Sequence, residues 1–180
     1  MKPIVHTPNP VLITPTKEVG SIDKKVKEIV SEMKYTLIKT DNPKGVGLAA
    51  TQIGISLRIF IIRPEETDQI TVYINPRFIS KGKTMLNGIP GEGNRLEGCL
   101  SIPNIWGIIK RHKSITLKYL DETGQKREEK FQDFPAIIVQ HEMDHLDGIL
   151  FPRRVIEQKG TLYKPGKGEK GEDVLEPMDI

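Results

Sequence analysis

Apolar residues recur at helical spacing in an early segment of the chain, residues 21–39. They are Ile22, Val26, Ile29, Val30, Met33 and Leu37. Ser21 stands at the start, where a serine hydroxyl can accept hydrogen bonds from the free N–H groups of a first helical turn. The pattern predicts an amphipathic helix whose apolar stripe faces the core. The polar residues 41–45 are predicted to end it.

Apolar or alternating runs predict strands in the middle of the chain. The runs are residues 58–62, 71–74, 114–120 and 125–131. Residues 65–68 are predicted to form a polar turn between the first two runs. Asn75 and Pro76 either end the second strand or mark an edge or a bulge. Residues 121–124 read Asp-Glu-Thr-Gly and predict a hairpin turn between the last two runs.

Three segments lack a periodic pattern. Residues 1–20 contain four prolines around short apolar pieces, which predicts an extended arm laid over the body. Residues 81–94 are rich in Gly, Lys and Asn and predict an unusually long loop. Residues 159–180 are charged and Gly-rich, which predicts a mobile C-terminal tail.

Composition narrows the class of protein. A length of 180 residues suits one domain, and 37% apolar with 28% charged residues is ordinary for a soluble globular chain. The net charge is +3, but the lysines and arginines are scattered and no nucleic-acid-binding motif accompanies them. No secretory signal starts the chain and no apolar run approaches a membrane span, so we expect a cytoplasmic protein without membrane association.

The strongest chemical signal lies at residues 140–145, which read Gln-His-Glu-Met-Asp-His. In a helix, His141 and His145 would lie one turn apart on the same face, where both imidazoles can reach one metal ion. Glu142 would flank them as a proton carrier. The alternative interpretation is an ordinary amphipathic helix with surface histidines.

The residues around this motif favour a helix. Asp133 can cap its first turn, Pro135 suits an early helical position, and residues 136–139 are apolar. Gly148 is a plausible stop. We therefore expect a helix that presents both histidines to one side.

A catalytic metal site normally uses three protein ligands, so a third ligand is needed. The candidates are the only cysteine, one further histidine and several downstream carboxylates: Cys99, His112, Glu157, Glu169, Glu172 and Asp173. Most of the carboxylates fall in the weakly patterned tail, and His112 lies in a charged run. Cys99 is the best placed, between turns marked by glycine and proline, and a metal ion gives the lone thiol a role.

Residues 45–54 form a run of small and apolar residues that includes Gln52. The Walker spacing and its lysine are absent, so a phosphate loop is not indicated. Glycines in such a run permit close approach of the backbone to another group. The Gln52 amide could donate to a ligand or serve a structural purpose.

Three segments together resemble the signature motifs of the peptide deformylases, in the same order. They are residues 45–52 (G-V-G-L-A-A-T-Q), 97–101 (E-G-C-L-S) and 140–148 (Q-H-E-M-D-H-L-D-G). The resemblance extends over about residues 3–155. It implies a catalytic domain of residues 1–158 with an α+β fold, in which antiparallel strands surround a central helix that carries the H-E-x-x-H motif.

The resemblance also implies a reaction: removal of the N-formyl group from the methionine of N-formylmethionyl nascent peptides, with release of formate. It assigns Cys99, His141 and His145 as metal ligands and Glu142 as the general base and acid. Donors to the oxyanion are Gln52 and the backbone N–H of Leu100. The cofactor implied is one divalent ion, Fe²⁺ in the cell, with Zn²⁺, Ni²⁺ or Co²⁺ in a purified sample.

Five further residues match family positions around the substrate. Val46 and Gly47 stand beside the peptide, which is expected to add along this strand edge, and Ile137 helps to form an apolar pocket for methionine. Glu97 borders the substrate and pairs with Arg111 to steady the cysteine loop. The long 76–97 connection and Trp106, which stands where many members carry arginine or another aromatic, depart from the family pattern.

Two other functions remain as alternatives. A zinc endopeptidase would use both histidines and a downstream carboxylate such as Glu157, and it would keep its metal without Cys99. A non-catalytic metal-binding or ribosome-associated protein would lack activity altogether. The tail leaves open a transient ribosome contact.

Overall fold

The computed structural model describes residues 2–40, 44–63, 69–91, 96–168 and 171–178. Within these ranges the chain is α+β, as predicted, with three α-helices and antiparallel sheets. The helices are α1 (Lys24–Lys39), α2 (Asp133–Leu146) and α3 (Phe151–Glu157). The strands are β1 (Gly47–Ala49), β2 (Ile59–Ile62), β3 (Thr71–Lys81), β4 (Met85–Asn87), β5 (Glu97–Cys99), β6 (Ile102–Gly107), β7 (Lys110–His112), β8 (Ser114–Leu120), β9 (Lys126–Gln132), β10 (Leu162–Lys167) and β11 (Asp173–Pro177).

The largest sheet has five strands in the order β1-β2-β3-β8-β9, so β1 is an edge strand. A four-stranded sheet has the order β11-β10-β6-β5, and β4 pairs with β7. Alternate residues of β2 and β3 enter two different apolar clusters, one containing the α1 stripe and the other containing α2 residues. The five-stranded sheet is therefore packed between α1 and α2. Burial of both faces explains why β2 is an uninterrupted apolar run.

Helix α1 confirms the early amphipathic pattern but not its predicted cap. The helix begins at Lys24, and the Asp23 carboxylate accepts a hydrogen bond from the Val26 N–H at 2.9 Å. The prediction of Ser21 as the cap is therefore wrong, because a carboxylate two residues later satisfies the first turn. The helix ends at Lys39, and residues 41–43 of the predicted stop lie outside the described residues.

Helix α2 confirms the predicted helix at the histidine motif. Gln132 is its N-cap residue, and Asp133 is the first helical residue, with a positive φ of 54°. The prediction of an Asp133 cap is wrong, because the helix begins one residue earlier than predicted, and the Asp133 carboxylate instead lies 3.8 Å from the Lys113 ammonium. Gly148 follows the helix with φ of 70° and confirms the predicted stop.

Part of the predicted loop over residues 81–94 forms a strand. β4 pairs with β7 in this region, and residues 92–94 lie outside the described residues. β3 is longer than its apolar run, because a register shift at Asn75 and Pro76 absorbs the proline as a bulge. The Asn75 amide bonds the Val19 backbone N–H and C=O, both at 2.8 Å. The predicted turn at residues 65–68 lies outside the described residues.

The arm and the C-terminal segment both lie against the body. The arm contains a short 3₁₀ turn at Pro10–Ile13, and the Val5 N–H donates to the Gln52 carbonyl at 2.8 Å. Beyond α3, β10 pairs with β6 and with β11. This segment is a hairpin and not a tail without regular structure, because Leu162 is buried in a cluster with Val155. Its mobility stays a prediction.

Gly148 is a position at which we expect a large loss of stability on substitution. A Cβ there would lie 2.9 Å from the backbone C and O atoms of Ile13, and φ is 70°. Left-handed strain of about 1–2 kcal/mol and an overpacking cost of about 1–3 kcal/mol predict that Gly148→Ala loses about 3 kcal/mol. Urea denaturation would measure the free energy of unfolding.

Gly124 provides the matched control for this prediction. Its φ is 86°, but a Cβ there would meet only Ile22 Cδ1, at 3.7 Å. Gly124→Ala should therefore show the left-handed strain alone, about 1–2 kcal/mol. Equal losses in the two variants would contradict the proposed contact with the arm.

Candidate metal centre

Three side chains converge at the junction of α2 and the end of β5. The ligand atoms of Cys99, His141 and His145 all lie within 4.8 Å of one another. The Cys99 Sγ lies 3.2 Å from the His145 Nε2. The two histidines are one turn apart on α2, with ring centroids separated by 5.0 Å. The structure thus brings together the three residues that the sequence predicted as ligands.

The donor set fits a divalent metal. Ligand bonds of about 2.0–2.3 Å in tetrahedral geometry place neighbouring ligand atoms roughly 3.3–3.8 Å apart. The Cys99–His145 distance of 3.2 Å is near this range, and the other pairs of ligand atoms lie within 4.8 Å of each other. Burial lowers the pKa of His145 well below its usual value, which keeps the imidazole neutral, the form that binds metal.

The other predicted ligand candidates lie elsewhere. His112 Nδ1 contacts the Gly82 carbonyl at 2.7 Å, and Glu157 pairs with Arg153 at 2.8 Å. Asp173 pairs with Lys167 at 2.6 Å. Glu172 also lies outside the cluster, and Glu169 lies outside the described residues. Among the described residues, only Cys99 joins the two histidines.

A buried ion-pair network contacts His141 at its Nδ1 atom. The Glu97 Oε2 lies 3.5 Å from His141 Nδ1, and the Arg111 Nε donates to both Glu97 oxygens at 2.6 and 2.9 Å. Burial alone would raise the pKa of Glu97, but the Arg111 guanidinium and His141 together hold the pKa well below its usual value. Burial likewise opposes protonation of His141, yet Cys99 and Glu97 raise its pKa. The contact with Glu97 leaves Nε2 of His141 for a metal.

Glu142 is a buried carboxylate beside the cluster. It is 3% exposed, and burial raises the pKa of its carboxyl to about 7. Its Oε2 atom has no hydrogen-bond partner among the described residues. The carboxylate packs against Gly47, where a Cβ would collide with Glu142 Oε1 and approach Ile138 Cγ2 to 3.0 Å. A glycine at this position is therefore required for Glu142 to lie where it does.

The side-chain amide of Gln52 contacts Cys99. Its Oε1 accepts a hydrogen bond from the Ala49 N–H at 2.9 Å, which directs Nε2 toward Cys99 Sγ at 3.6 Å and Ser101 Oγ at 3.3 Å. Leu100 follows Cys99, is partly buried and packs against the α1 core cluster. Ser101 is fully buried and was not singled out, although it belongs to the second motif.

The predicted substrate residues surround this cluster on two elements. Val46 is half-buried and precedes edge strand β1, which begins at Gly47. Ile137 is 3% exposed and lies on α2 one turn before His141. An open apolar groove of about 750 Å³ lies apart from them, lined by Thr7, Ile13, Ile102, Gly148, Leu150, Pro152, Arg153, Ile156 and Glu157.

Sequence reasoning missed two charged residues that extend the network. Asp144 accepts a hydrogen bond from Arg111 Nη1 at 2.9 Å and another from Arg154 Nη2 at 2.7 Å. Asp144 stands inside the histidine motif three residues after His141, so its position on α2 could have indicated a role. Arg154 carried no comparable signal.

The chain and its fold have counterparts among known proteins. A family model described as polypeptide deformylase matches residues 1–160. The chain belongs to the polypeptide deformylase family. It is 38% identical over 143 residues to a peptide deformylase of Pseudothermotoga lettingae, covering 79% of this chain and 76% of that one. It is 36% identical over 169 residues to a peptide deformylase of Borreliella burgdorferi, covering 93% and 96%.

Solved deformylase structures share the fold. The crystal structure of the Thermotoga maritima peptide deformylase superposes with a TM-score of 0.76 at 34% identity, covering 86% of this chain and 97% of that one. The Synechococcus elongatus peptide deformylase, solved in complex with actinonin, gives a TM-score of 0.74 at 31% identity, covering 84% and 76%. In the described part of this chain, every helix is too short or too polar to cross a membrane.

Proposed function

We propose that this chain is a metal-dependent hydrolase that removes the N-formyl group from the N-terminal methionine of newly synthesised polypeptides and releases formate. The observation that carries the proposal is the cluster of Cys99, His141 and His145 with a buried Glu142 beside it, in a chain of the deformylase family. The catalytic unit is residues 1–158, and α2 is its central metal-binding helix. The protein acts in the cytoplasm.

One divalent cation would be held by the Cys99 thiolate and the two imidazoles. A bound cation supplies Lewis acidity and lowers the pKa of water toward neutrality. We assign ferrous iron in the cell on the family resemblance, although the usual affinity order favours zinc for the same ligands. Zinc, nickel or cobalt are expected to load the same site in a purified sample.

Glu142 moves the proton in this proposal. Its Oε atoms accept a proton from the attacking water and return it to the nitrogen of the departing methionine. A pKa raised to about 7 suits both steps, because the carboxyl group can accept and release a proton near neutral pH. Gly47 supports this role by leaving space for the carboxylate.

Gln52 and Leu100 stabilise the developing oxyanion of the formyl group. The Ala49 N–H holds the Gln52 amide with its NH₂ group toward Cys99, so a donor is oriented before substrate binds. The backbone N–H of Leu100 is the second donor. Loss of one such donor typically lowers the rate by about 10²–10³.

The formylated peptide adds as a strand alongside β1. Because β1 is paired on one side with β2 and is an edge strand, its other side can pair with an extended chain. Val46 and Gly47 contact the peptide backbone, and Ile137 forms part of the methionine pocket. Glu97 borders the site and, with Arg111, holds the cysteine loop. A transient ribosome contact would place nascent chains close to this edge.

Gly47→Ala should lower the deformylation rate by about 100-fold, since the added methyl displaces Glu142 and misplacement by about 1 Å is enough for such a loss. Steady-state formate release with loaded metal is the measurement. Gly45→Ala is the control, because its Cβ meets the flexible Leu37 Cδ1 at 2.7 Å and not Glu142. Comparable losses in both variants would show that Gly47 acts through packing alone.

The proposed reaction is tested by formate release from formyl-Met-Ala-Ser with protein purified anaerobically and loaded with Fe²⁺. Acetyl-Met-Ala-Ser is the matched control substrate, because it retains the peptide and differs only at the blocking group. The free amino group of Met-Ala-Ser, which hydrolysis of either peptide would produce, is therefore measured alongside formate, and we expect it to appear from the formylated peptide alone. Metal-loaded protein that releases no formate from it would overturn the proposal.

A further inference from the structure

An unbroken series of polar contacts connects α3 to the candidate metal ligand His141. Arg154 donates to Asp144 Oδ1 through Nη2 at 2.7 Å and Nε at 3.2 Å. The other Asp144 oxygen accepts from Arg111 Nη1 at 2.9 Å. Arg111 in turn holds Glu97, whose Oε2 lies 3.5 Å from His141 Nδ1. The series begins on a helix that contributes no ligand to the cluster.

The charges alternate along this series, and its middle members are buried. Arg111 is 5% exposed, Glu97 is 6% exposed and Asp144 is 8% exposed. The Arg154 side chain is 34% exposed and therefore connects the buried groups to the surface. Each carboxylate accepts hydrogen bonds from at least one guanidinium group, so the position of every group depends on its neighbours.

Arg154 and Arg111 bind different oxygens of Asp144. Two donors from Arg154 hold Asp144 Oδ1, which leaves only Oδ2 for Arg111. The Arg111 Nη2 atom is buried and has no hydrogen-bond partner among the described residues. Without Arg154, Asp144 is free to turn both oxygens toward Arg111, since a carboxylate favours a bidentate pair with a guanidinium. That shift would draw Arg111 away from Glu97.

We propose that Arg154 is a positioning residue for the metal centre, acting through Asp144, Arg111 and Glu97 on the orientation of the His141 imidazole. The inference rests on the metal site of the proposed function. Groups that orient a metal ligand typically change metal affinity or activity by about 10–100-fold when they are removed. Three residues separate Arg154 from His141 in this series. We therefore expect the loss of Arg154 to change metal affinity by an amount at the lower end of this range.

A purely structural role would give different results. Arg154 also pairs with Glu157 at 3.1 Å, and its contact with Asp144 joins α3 to α2. If it only held the helices together, its loss would lower the melting temperature of the metal-free protein and leave the affinity for metal unchanged. Metal affinity therefore separates the two roles.

The test is a Co²⁺ titration of the full-length protein at one fixed pH, with the visible absorption of the thiolate-bound ion as the signal. We expect the Co²⁺ dissociation constant to rise about tenfold in Arg154→Ala. It should rise less in Arg154→Lys, because lysine keeps the charge but cannot donate as a planar fork. The absorption band should also shift in Arg154→Ala as the His141 ring reorients.

Two variants on α3 serve as controls. Arg153→Ala removes a neighbouring arginine whose side chain is 65% exposed and pairs with Glu157. Glu157→Gln removes the second partner of Arg154. Both should keep the dissociation constant within about twofold of the wild type, the spread expected for a surface change.

Each outcome decides the inference. Raised dissociation constants in the Arg154 variants, with unchanged constants in both controls, support it. If Arg154→Ala does not fold, the inference is decided by comparing the Co²⁺ dissociation constant of Arg154→Lys with that of Arg153→Ala. Arg154 variants that bind Co²⁺ as tightly as Arg153→Ala would overturn this inference alone, whereas a wild-type chain that binds no Co²⁺ would overturn the proposed metal site as well.

Discussion

Replacing Glu142 with glutamine should lower the rate of deformylation by about 10²–10⁴ while the protein keeps its metal. The reason is that glutamine cannot carry a proton between water and the leaving nitrogen, although it fills the same space. The change should not destabilise the fold, because burial already raises the pKa of the Glu142 carboxyl to about 7 and so disfavours its charged form. A neutral amide avoids that desolvation cost.

The measurement is formate release together with metal content per chain. Asp147→Asn is the matched control, since Asp147 lies just beyond α2 with a side chain 47% exposed, and it pairs with Arg58. The control should retain nearly full activity. A Glu142→Gln protein with bound metal and more than about a tenth of wild-type activity would remove Glu142 from its proposed role.

Replacing Cys99 with alanine should weaken metal binding by about 100-fold or more and lower the metal content per chain. Structural zinc sites with four ligands bind with roughly 10–16 kcal/mol, so one ligand accounts for about 3 kcal/mol, or about 100-fold or more in the dissociation constant. The thiolate is also the only charged group among the three ligands, which increases its contribution to the binding free energy of the metal. Deformylation should fall in parallel with metal content.

This variant also distinguishes the deformylase proposal from a zinc endopeptidase. An endopeptidase that used Glu157 as its third ligand would keep its metal in Cys99→Ala and would cut unfolded proteins at internal bonds. Because Cys99 is the only cysteine, the rate of its labelling by a thiol reagent gives an independent measurement. Bound metal should slow labelling in the wild type, and equal rates with and without metal would argue against a thiolate ligand.

Much of the fold could be predicted because local pattern and tertiary environment agree. The α1 stripe and the alternating residues of β8 have buried faces that match their spacing. The hairpin of β10 and β11 could not be predicted, because its strands contain Pro165 and Gly166 and its stability depends on pairing with β6, far away in the chain. Composition alone therefore suggested a tail.

The candidate site shows the same division. Cys99, His141 and His145 could be grouped in advance, because residue chemistry and motif spacing restrict what can bind a metal. The links through Asp144 and Arg154 could not, since they depend on how α3 packs against α2 and on how β7 places Arg111. Long-range packing of this kind leaves no periodic signal in the sequence.

The burial of α2 has a consequence for how the molecule loses activity. From Ala136 to Leu146 the helix is buried at every position except His141, and it lies against four strands of the five-stranded sheet. Amide hydrogens in such an element exchange with solvent only when the whole domain opens. We therefore expect both histidines and Glu142 to lie in the slowest-exchanging part of the protein, so the proposed catalytic groups on α2 should remain in place until the fold is lost in a single step.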